Sequence, residues 1–243
     1  MEAQIVELQN IIGNITSELL NQYELLGGGA RWAAREGKTA LYINWKDNWL
    51  NHHSTDGSNW VWISQSYMDG WRSSVSQTLE QWGFEVIFAG DMPETLSDYD
   101  LVVIEASYAV EPEHAPLIKE YVSNGGGLVI LAGVPMYLSV YCRDWWPGTL
   151  GGTNLTSIQE GFGASTFADA GGVARVVVNN PVGTSLQVND LVYDTNRNDR
   201  KSVIGLNNGA QIIAQWESGK VYSFTYEYGA GRVFYHGGQF LVP

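Results

Sequence analysis

Two uninterrupted apolar runs joined by an amphipathic segment constrain the fold of this chain more than any other feature. The runs are Leu101–Ile104 and Leu128–Leu131, and each has the length of a strand that is buried on both faces. Between them, Pro112 opens a segment with helical apolar spacing, and Asn124–Gly127 ends it with residues that tolerate positive φ. A strand, a crossover helix and a second buried strand form a βαβ unit, so the sequence predicts a parallel sheet.

The segments before this unit continue the same alternation. Strands are predicted at Thr39–Asn44 and Phe84–Phe88, with a helix over Ser73–Trp82 between them. Strand and helix in alternation are typical of an α/β fold, and we predict a doubly wound, mostly parallel, flavodoxin-like sheet.

The part of the chain after Val134 has a different pattern. The helical signal fades, and five strand-like runs predict a β-rich C-terminal part. These runs are Ala174–Val178, Ser202–Leu206, Gln211–Trp216, Val221–Tyr228 and Gly231–Tyr235. Residues 189–199 are rich in Asp and Asn, and they are predicted to form a solvated turn.

The first 26 residues form a separate amphipathic element. Apolar residues recur there at a spacing of three and four, which predicts a coiled-coil-type helix and a homo-oligomer formed through residues 1–26. The proposed seam consists of Ile5, Leu8, Ile12, Ile15, Leu19 and Leu26. Residues 27–29 are all glycine and are predicted to act as a flexible joint, which divides the chain into residues 1–29 and an α/β domain over residues 30–243. The alternative is an amphipathic helix that packs on its own domain.

Charge and composition limit the classes of partner and compartment. A net charge of −13 disfavours nucleic acid and anionic membranes as partners, and no apolar run is long enough for membrane insertion. The single cysteine, Cys142, excludes an internal disulfide. A chain rich in Trp, Tyr, Asn, Gly and Ser, with glycosylation sequons at Asn14 and Asn154, predicts an extracellular or cell-surface glycoprotein, with a cytoplasmic protein as the alternative. No signal peptide begins at Met1, and its absence would be explained if the chain is a fragment of a longer exported protein.

Four sequence segments together resemble the class I glutamine amidotransferase-like superfamily, in particular its ThuA-like branch. They are the first strand with its long loop, "DYDLVVIEA", "YVSNGGGLVILAG" and "YGAGRVFYHGG", and the resemblance covers about residues 38–240. It implies an amidotransferase-like α/β domain over residues 30–243.

The resemblance also implies where catalytic residues would lie. Catalytic members of the family carry a cysteine on the turn after the strand Leu128–Leu131, but residues 132–135 here read Ala-Gly-Val-Pro. The family's His and Glu follow the late strands, whereas His236 here is followed by Gly-Gly-Gln. The catalytic triad is therefore lacking, and we predict that the chain is not an enzyme and uses no cofactor.

Ligands of open α/β sheets bind at the carboxyl ends of the parallel strands. The loops expected at this rim combine aromatic rings with carboxylates, which suit stacking on sugar faces and hydrogen bonding to hydroxyls. The candidate ligand-binding residues are Trp45, Trp49, His52, Glu105, Tyr108, Glu111, Tyr137, Trp145 and Trp146. The alternative is that these aromatic residues plug the end of the sheet or form an oligomer interface.

A metal site at this rim is disfavoured. His52 and His53 are adjacent, so on an extended chain they point to opposite sides, and only a loop that included Asp56 could bring them to one ion. We predict no metal.

Three hypotheses for function follow from these features. The first is a non-catalytic amidotransferase-like domain of an exported surface or filament protein that serves oligomeric assembly or binds a glycan or another surface ligand. The second is a carbohydrate-active hydrolase that uses the rim carboxylates Glu105 and Glu111. The third is an intracellular regulatory domain that binds a small metabolite.

Overall fold

The protein is built around a nine-stranded mixed sheet, as seen in a computed structural model. The structure describes residues 2–43, 65–104, 114–131 and 164–238. The helices are α1 (Glu2–Ala34), α2 (Gln65–Gln81) and α3 (His114–Ser123), with a short 3₁₀ helix at Pro181–Gly183. The strands are β1 (Thr39–Ile43), β2 (Glu85–Ala89), β3 (Leu101–Ile104), β4 (Gly127–Leu131), β5 (Ala164–Val176), β6 (Leu191–Leu206), β7 (Gln211–Trp216), β8 (Val221–Tyr228) and β9 (Gly231–His236).

The sheet has a parallel half and an antiparallel half that meet at β9. The strand order is β2-β1-β3-β4-β9-β8-β6-β5-β7, and β7 also pairs with β8. In the first half of this order, the neighbouring strands β2, β1, β3, β4 and β9 are parallel to one another. In the second half, β5, β6, β7, β8 and β9 are joined by antiparallel pairings. Strand β9 therefore belongs to both halves, because it is parallel to β4 and antiparallel to β8.

The prediction of a doubly wound, mostly parallel, flavodoxin-like sheet is wrong. The described sheet has four parallel and five antiparallel strand pairings. The physical reason is the length of the connections after β7. Residues 217–220 join β7 to β8 and residues 229–230 join β8 to β9, and connections this short join only antiparallel neighbours.

Two apolar layers cover the two faces of the sheet. One layer places Leu25 and Leu26 of α1 and Val75 of α2 against strand residues such as Val129 and Phe234. The other places Ile118 and Val122 of α3 against residues of the opposite face, including Leu128 and Val233. The central parallel strands β3 and β4 are buried along their whole length, as their uninterrupted apolar sequences predict.

Helix α1 runs without a break through Gly27–Gly29, so the prediction of a flexible glycine joint is wrong. Each glycine lies where another element approaches the helix backbone. A Cβ at Gly27 would lie 2.0 Å from the Trp82 ring, one at Gly28 would lie 2.4 Å from Thr184, and one at Gly29 would lie 2.2 Å from Phe234. The close contact offsets the low helix propensity of glycine.

The coiled-coil prediction is also wrong, because the second half of α1 packs on its own sheet. Gln22 and Leu26 are fully buried, and α1 contacts β4, β6 and β9. This packing corresponds to the alternative of an amphipathic helix on its own domain. The side chains of Ile5, Leu8, Ile12 and Ile15 lie outside the described part, Leu19 is half-buried, and the predicted homo-oligomer stays a prediction.

Residues 194–199 belong to β6, so the prediction of a solvated turn is wrong there. Asp194 and Thr195 pair with Val173 and Gly172 of β5, and Arg200, directly after the segment, pairs with Ala170. The antiparallel ladder therefore holds the segment at both ends.

Candidate functional site

The carboxyl ends of the parallel strands meet at one edge of the sheet. Ile43 of β1 is in register with Ile104 of β3, and Ile104 is in register with Ile130 of β4. Leu131, the last residue of β4, is in register with His236, the last residue of β9. From these four ends the sequence continues into residues 44–64, 105–113, 132–163 and 237–243. We call this edge the carboxyl rim.

The rim residues predicted from the sequence lie outside the described residues. This applies to Trp45, Trp49, His52, Glu105, Tyr108, Glu111, Tyr137, Trp145 and Trp146. It applies also to His53, Asp56, Cys142 and Asn154, and to the side chain of Asn14. The structure therefore gives no distances between these side chains, and the ligand-binding and glycosylation sites stay predictions.

His236 is a titratable residue at the carboxyl rim that the structure describes, and it is not one of the rim residues predicted from the sequence. Its side chain is fully buried, and its Nδ1 accepts a hydrogen bond from the backbone N–H of Gly238 at 3.3 Å. A neutral ring that accepts at Nδ1 carries its proton on Nε2. Burial disfavours the charged ring and lowers the pKa of His236 to about 4, so the ring is neutral at pH 7.

His236 belongs to an aromatic cluster on the α1 side of the sheet. The other members of the cluster are Tyr193, Trp216 and Tyr222. The ring centres of Tyr222 and His236 are 5.1 Å apart, and those of Trp216 and Tyr222 are 5.2 Å apart, both in edge-to-face geometry. Gly238 lies against this cluster, since a Cβ there would come within 2.2 Å of the Tyr222 hydroxyl. The sequence signal was a histidine directly after the apolar run of β9, but its burial depends on the tertiary packing.

The amino edge of the sheet carries a cavity of about 600 Å³. Its lining includes Leu96, Asp100, Leu117, Glu120, Tyr121 and Asn124. The Asp100 carboxylate is engaged in the fold, because its Oδ2 accepts hydrogen bonds from the backbone N–H groups of Lys38 at 2.7 Å and Thr39 at 2.8 Å. The Thr39 hydroxyl donates a third bond at 2.7 Å. The backbone N–H of Thr39, followed by its hydroxyl, holds the pKa of Asp100 below its usual value.

Tyr121 ties the same edge together. Its hydroxyl lies 3.1 Å from the carbonyl oxygen of Tyr99 and 3.2 Å from that of Gly127, and it donates to them. Burial raises the pKa of Tyr121, so the phenol keeps its proton and remains a donor. Both polar side chains join the beginnings of strands, and ligands of open α/β sheets bind at the opposite edge. The carboxyl rim is therefore the candidate functional site.

The described residues bear on metal binding and on membrane crossing. No three His, Cys, Asp or Glu side chains in that part of the chain are grouped so that they could hold a metal ion. None of the described helices combines the length and the apolar character that crossing a membrane requires.

Comparisons with known proteins give structural likeness only. No protein-family model and no curated protein matches the chain. An exo-β-1,4-mannosidase from Opitutaceae bacterium strain TAV5 matches with a TM-score of 0.49 and 16% identity, over 84% of this chain and 31% of that one. A β-galactosidase from Rahnella sp. R3 matches with a TM-score of 0.49 and 18% identity, over 83% of this chain and 28% of that one. A cytoplasmic protein from Salmonella typhimurium LT2 matches with a TM-score of 0.48 and 13% identity, over 83% of this chain and 88% of that one.

The similar solved structures include glycoside hydrolases, and this finding disagrees with two predictions. One is that the chain is a non-catalytic domain of an exported surface or filament protein, and the other is that it is not an enzyme. The chain spans about three tenths of the length of those hydrolases, and identities below 20% transfer no activity to it. The resemblance to the amidotransferase-like superfamily and the extracellular location are not tested by these matches and stay predictions.

Proposed function

We propose that this chain is part of a carbohydrate-active hydrolase with its reacting groups at the carboxyl rim. The observation that carries the proposal is the register of β1, β3 and β4, whose ends at Ile43, Ile104 and Ile130 are aligned. Three sequence segments that are rich in aromatic and acidic residues leave from this one edge. The glycoside hydrolases described above are too distant to support the proposal, which depends on the residues of this chain.

Glu105 is the first residue after β3, and Glu111 follows six positions later in the same segment. Hydrolysis of a glycosidic bond commonly uses two carboxyl groups, one as general acid and the other as base or nucleophile. Glu105 and Glu111 would divide these two roles. The protonated group would donate to the leaving-group oxygen, and the ionised group would activate water or attack the sugar carbon.

Aromatic residues in the segments that follow β1 and β4 suit the substrate side of this reaction. Trp45 and Trp49 follow β1, and Tyr137, Trp145 and Trp146 follow β4. Indole and phenol rings stack on the apolar faces of sugars while their polar groups bind hydroxyls. A glycoside is therefore the proposed substrate class.

The test is a screen of the chain against a panel of aryl glycosides, followed by the variants Glu105→Gln and Glu111→Gln. We expect each variant to lower kcat/KM by about 10²- to 10⁴-fold, which is the usual contribution of general acid–base catalysis. The matched control is Glu85→Gln, because Glu85 is exposed at the amino end of β2 and lies away from the rim. If the unmutated chain hydrolyses no member of the panel, the proposal fails.

A further inference from the structure

Strand β2 has an unpaired edge. Every other described strand has at least two hydrogen-bonded neighbours, since β7 closes on β8 as well as on β5, but β2 pairs only with β1 within the part of the chain that the structure describes. An edge strand presents unpaired N–H and C=O groups to a partner, and natural proteins commonly protect it with charged side chains, especially lysine, or with proline. The sequence of β2, Glu-Val-Ile-Phe-Ala, contains neither lysine nor proline, and its one charged residue lies at its amino end.

Two of the exposed side chains of β2 are large and apolar. Ile87 is 39% exposed and Phe88 is 41% exposed. One face of the Phe88 ring is covered by the guanidinium of Arg72 at 3.9 Å, and the ring is in edge-to-face geometry with Tyr42 at a ring-centre distance of 5.9 Å. Phe88 is thus held in place at the edge while still being open to a partner.

The backbone of β2 determines which amides face outward. The N–H of Glu85 donates to the carbonyl oxygen of Lys38 at 2.8 Å, so Glu85 faces the β1 side. In a parallel pair, alternate residues direct both their N–H and their C=O to the same neighbour, so Ile87 and Ala89 also face β1. The amides of Val86 and Phe88 are therefore the ones that face outward.

We propose that two copies of this chain associate by antiparallel pairing of their β2 strands about a two-fold axis at Ile87. In that register Val86 of each copy is opposite Phe88 of the other, and these are the residues whose amides face outward. Each such pair exchanges two N–H···O bonds, and the symmetry supplies the pair twice. The two Ile87 residues then form the central non-hydrogen-bonded pair, in which side chains are closest.

The side chains of β2 suit this self-pairing. The branched Val86 lies opposite the aromatic Phe88, a favourable cross-strand combination. Glu85 is the one charged residue of the strand, and in this register it lies opposite Ala89, so no like charges are opposed. A chain with a net charge of −13 otherwise repels its own copies, and this strand offers an edge where the repulsion is small.

The test is sedimentation equilibrium of the full chain over a concentration series, together with three variants. Ile87→Lys places two ammonium groups opposite each other at the two-fold axis. Val86→Pro removes an outward N–H but no bond to β1, and proline is tolerated on that side of an edge strand. The matched control is Val188→Lys, because Val188 is an exposed apolar residue, 43% exposed, outside β2.

We expect the unmutated chain and the control to reach about twice the weight-average mass of the Ile87→Lys and Val86→Pro variants at high concentration. Far-ultraviolet circular dichroism identifies any variant that fails to fold. If a variant fails to fold, hydrogen exchange of the unmutated chain still tests the proposal. Dilution of the unmutated dimer should speed hydrogen exchange at the amides of Val86 and Phe88 but not at that of Ile87. Equal masses for the unmutated chain and both β2 variants, or exchange at Val86 that is independent of concentration, would overturn the proposal.

Discussion

Asp100 is an exposed carboxylate with three hydrogen-bond donors from one neighbouring segment. Lys38 and Thr39 supply these donors, and Asp100 thereby fixes the beginning of β1 to the beginning of β3. Because the hydrogen bonds lower the pKa of Asp100 in the folded state, the carboxylate stabilises the fold at pH values above its usual pKa of 3.8. That contribution is lost as the pH falls through the lower, folded-state value.

We expect Asp100→Asn to lower the free energy of unfolding at pH 7 by about 1 kcal/mol, at the low end for charged acceptors because solvent screens the group. The variant should also show a flatter dependence of stability on pH below 3.8. Urea denaturation at several pH values measures both effects. The control is Asp98→Asn, an exposed acid two residues earlier, which should change neither. Equal losses in the two variants would contradict the role assigned to Asp100.

His236 gives a second pH dependence, with its window at higher pH. The folded-state pKa is about 4 and the usual value is 6.5, so below pH 6.5 the unfolded chain binds a proton that the folded chain excludes. The free energy of unfolding should therefore fall as the pH is lowered from 6.5 towards 4, by up to about 1.4 kcal/mol per pH unit.

Replacement of His236 by Phe should remove this slope, because Phe packs in the same aromatic cluster without titrating. Urea denaturation across this pH range tests the difference. His114→Asn, at a half-buried histidine on α3, should retain the slope of the unmutated protein. A slope that survives in His236→Phe would show that other groups cause it.

At the scale of elements, the three glycines of α1 determine how closely the helix approaches the sheet. In an exposed helix, a change from Gly to Ala stabilises by about 1 kcal/mol. At Gly29 the added methyl would instead meet the ring of Phe234 at 2.2 Å. We expect Gly29→Ala to lower the free energy of unfolding by about 1–3 kcal/mol, the usual cost of overpacking.

Chemical denaturation measures the sign as well as the size of this effect. Gly90→Ala is the matched control, because a Cβ at Gly90 meets no atom within 4 Å. That variant should be close to neutral. A stabilised Gly29→Ala variant would mean that α1 does not pack on β9 as described.

The sequence predicted strands well wherever burial alone determines the pattern. The strands Leu101–Ile104, Gln211–Trp216 and Val221–Tyr228 have the predicted bounds, because apolar runs and alternation report burial directly. It failed at Gly27–Gly29, where close contacts from distant parts of the chain outweigh a low helix propensity. It failed also at residues 194–199, a polar segment of β6 that pairs with β5 at Asp194 and Thr195.

The candidate site was predictable only in its location. The rule that ligands bind at carboxyl ends places it at the rim, and the register of Ile43, Ile104 and Ile130 bears out that these ends coincide. His236 was missed as a rim residue because its burial and neutral state come from Tyr222 and Gly238, which the sequence does not place beside it. The parallel pairing of β9 with β4 was likewise not readable from the order of strands.

At the scale of the whole molecule, β9 couples the two halves of the sheet. Its residues are in register with β4 on one side and with β8 on the other, and Phe234 packs beneath α1 in the same layer as Val129 and Tyr222. A defect in β9 therefore weakens both halves at once. The protein should unfold as one cooperative unit across the described sheet.

Phe234→Ala tests this coupling. Truncation of a fully buried aromatic ring should lower the free energy of unfolding by about 3–5 kcal/mol. Because β9 is shared, the urea transition should remain single, with the same midpoint in Trp fluorescence and in far-ultraviolet circular dichroism. Val177→Ala, at an exposed apolar position just after β5, is the control and should cost little. Two separated transitions in Phe234→Ala would mean that the parallel and antiparallel halves unfold independently, and that β9 does not couple them.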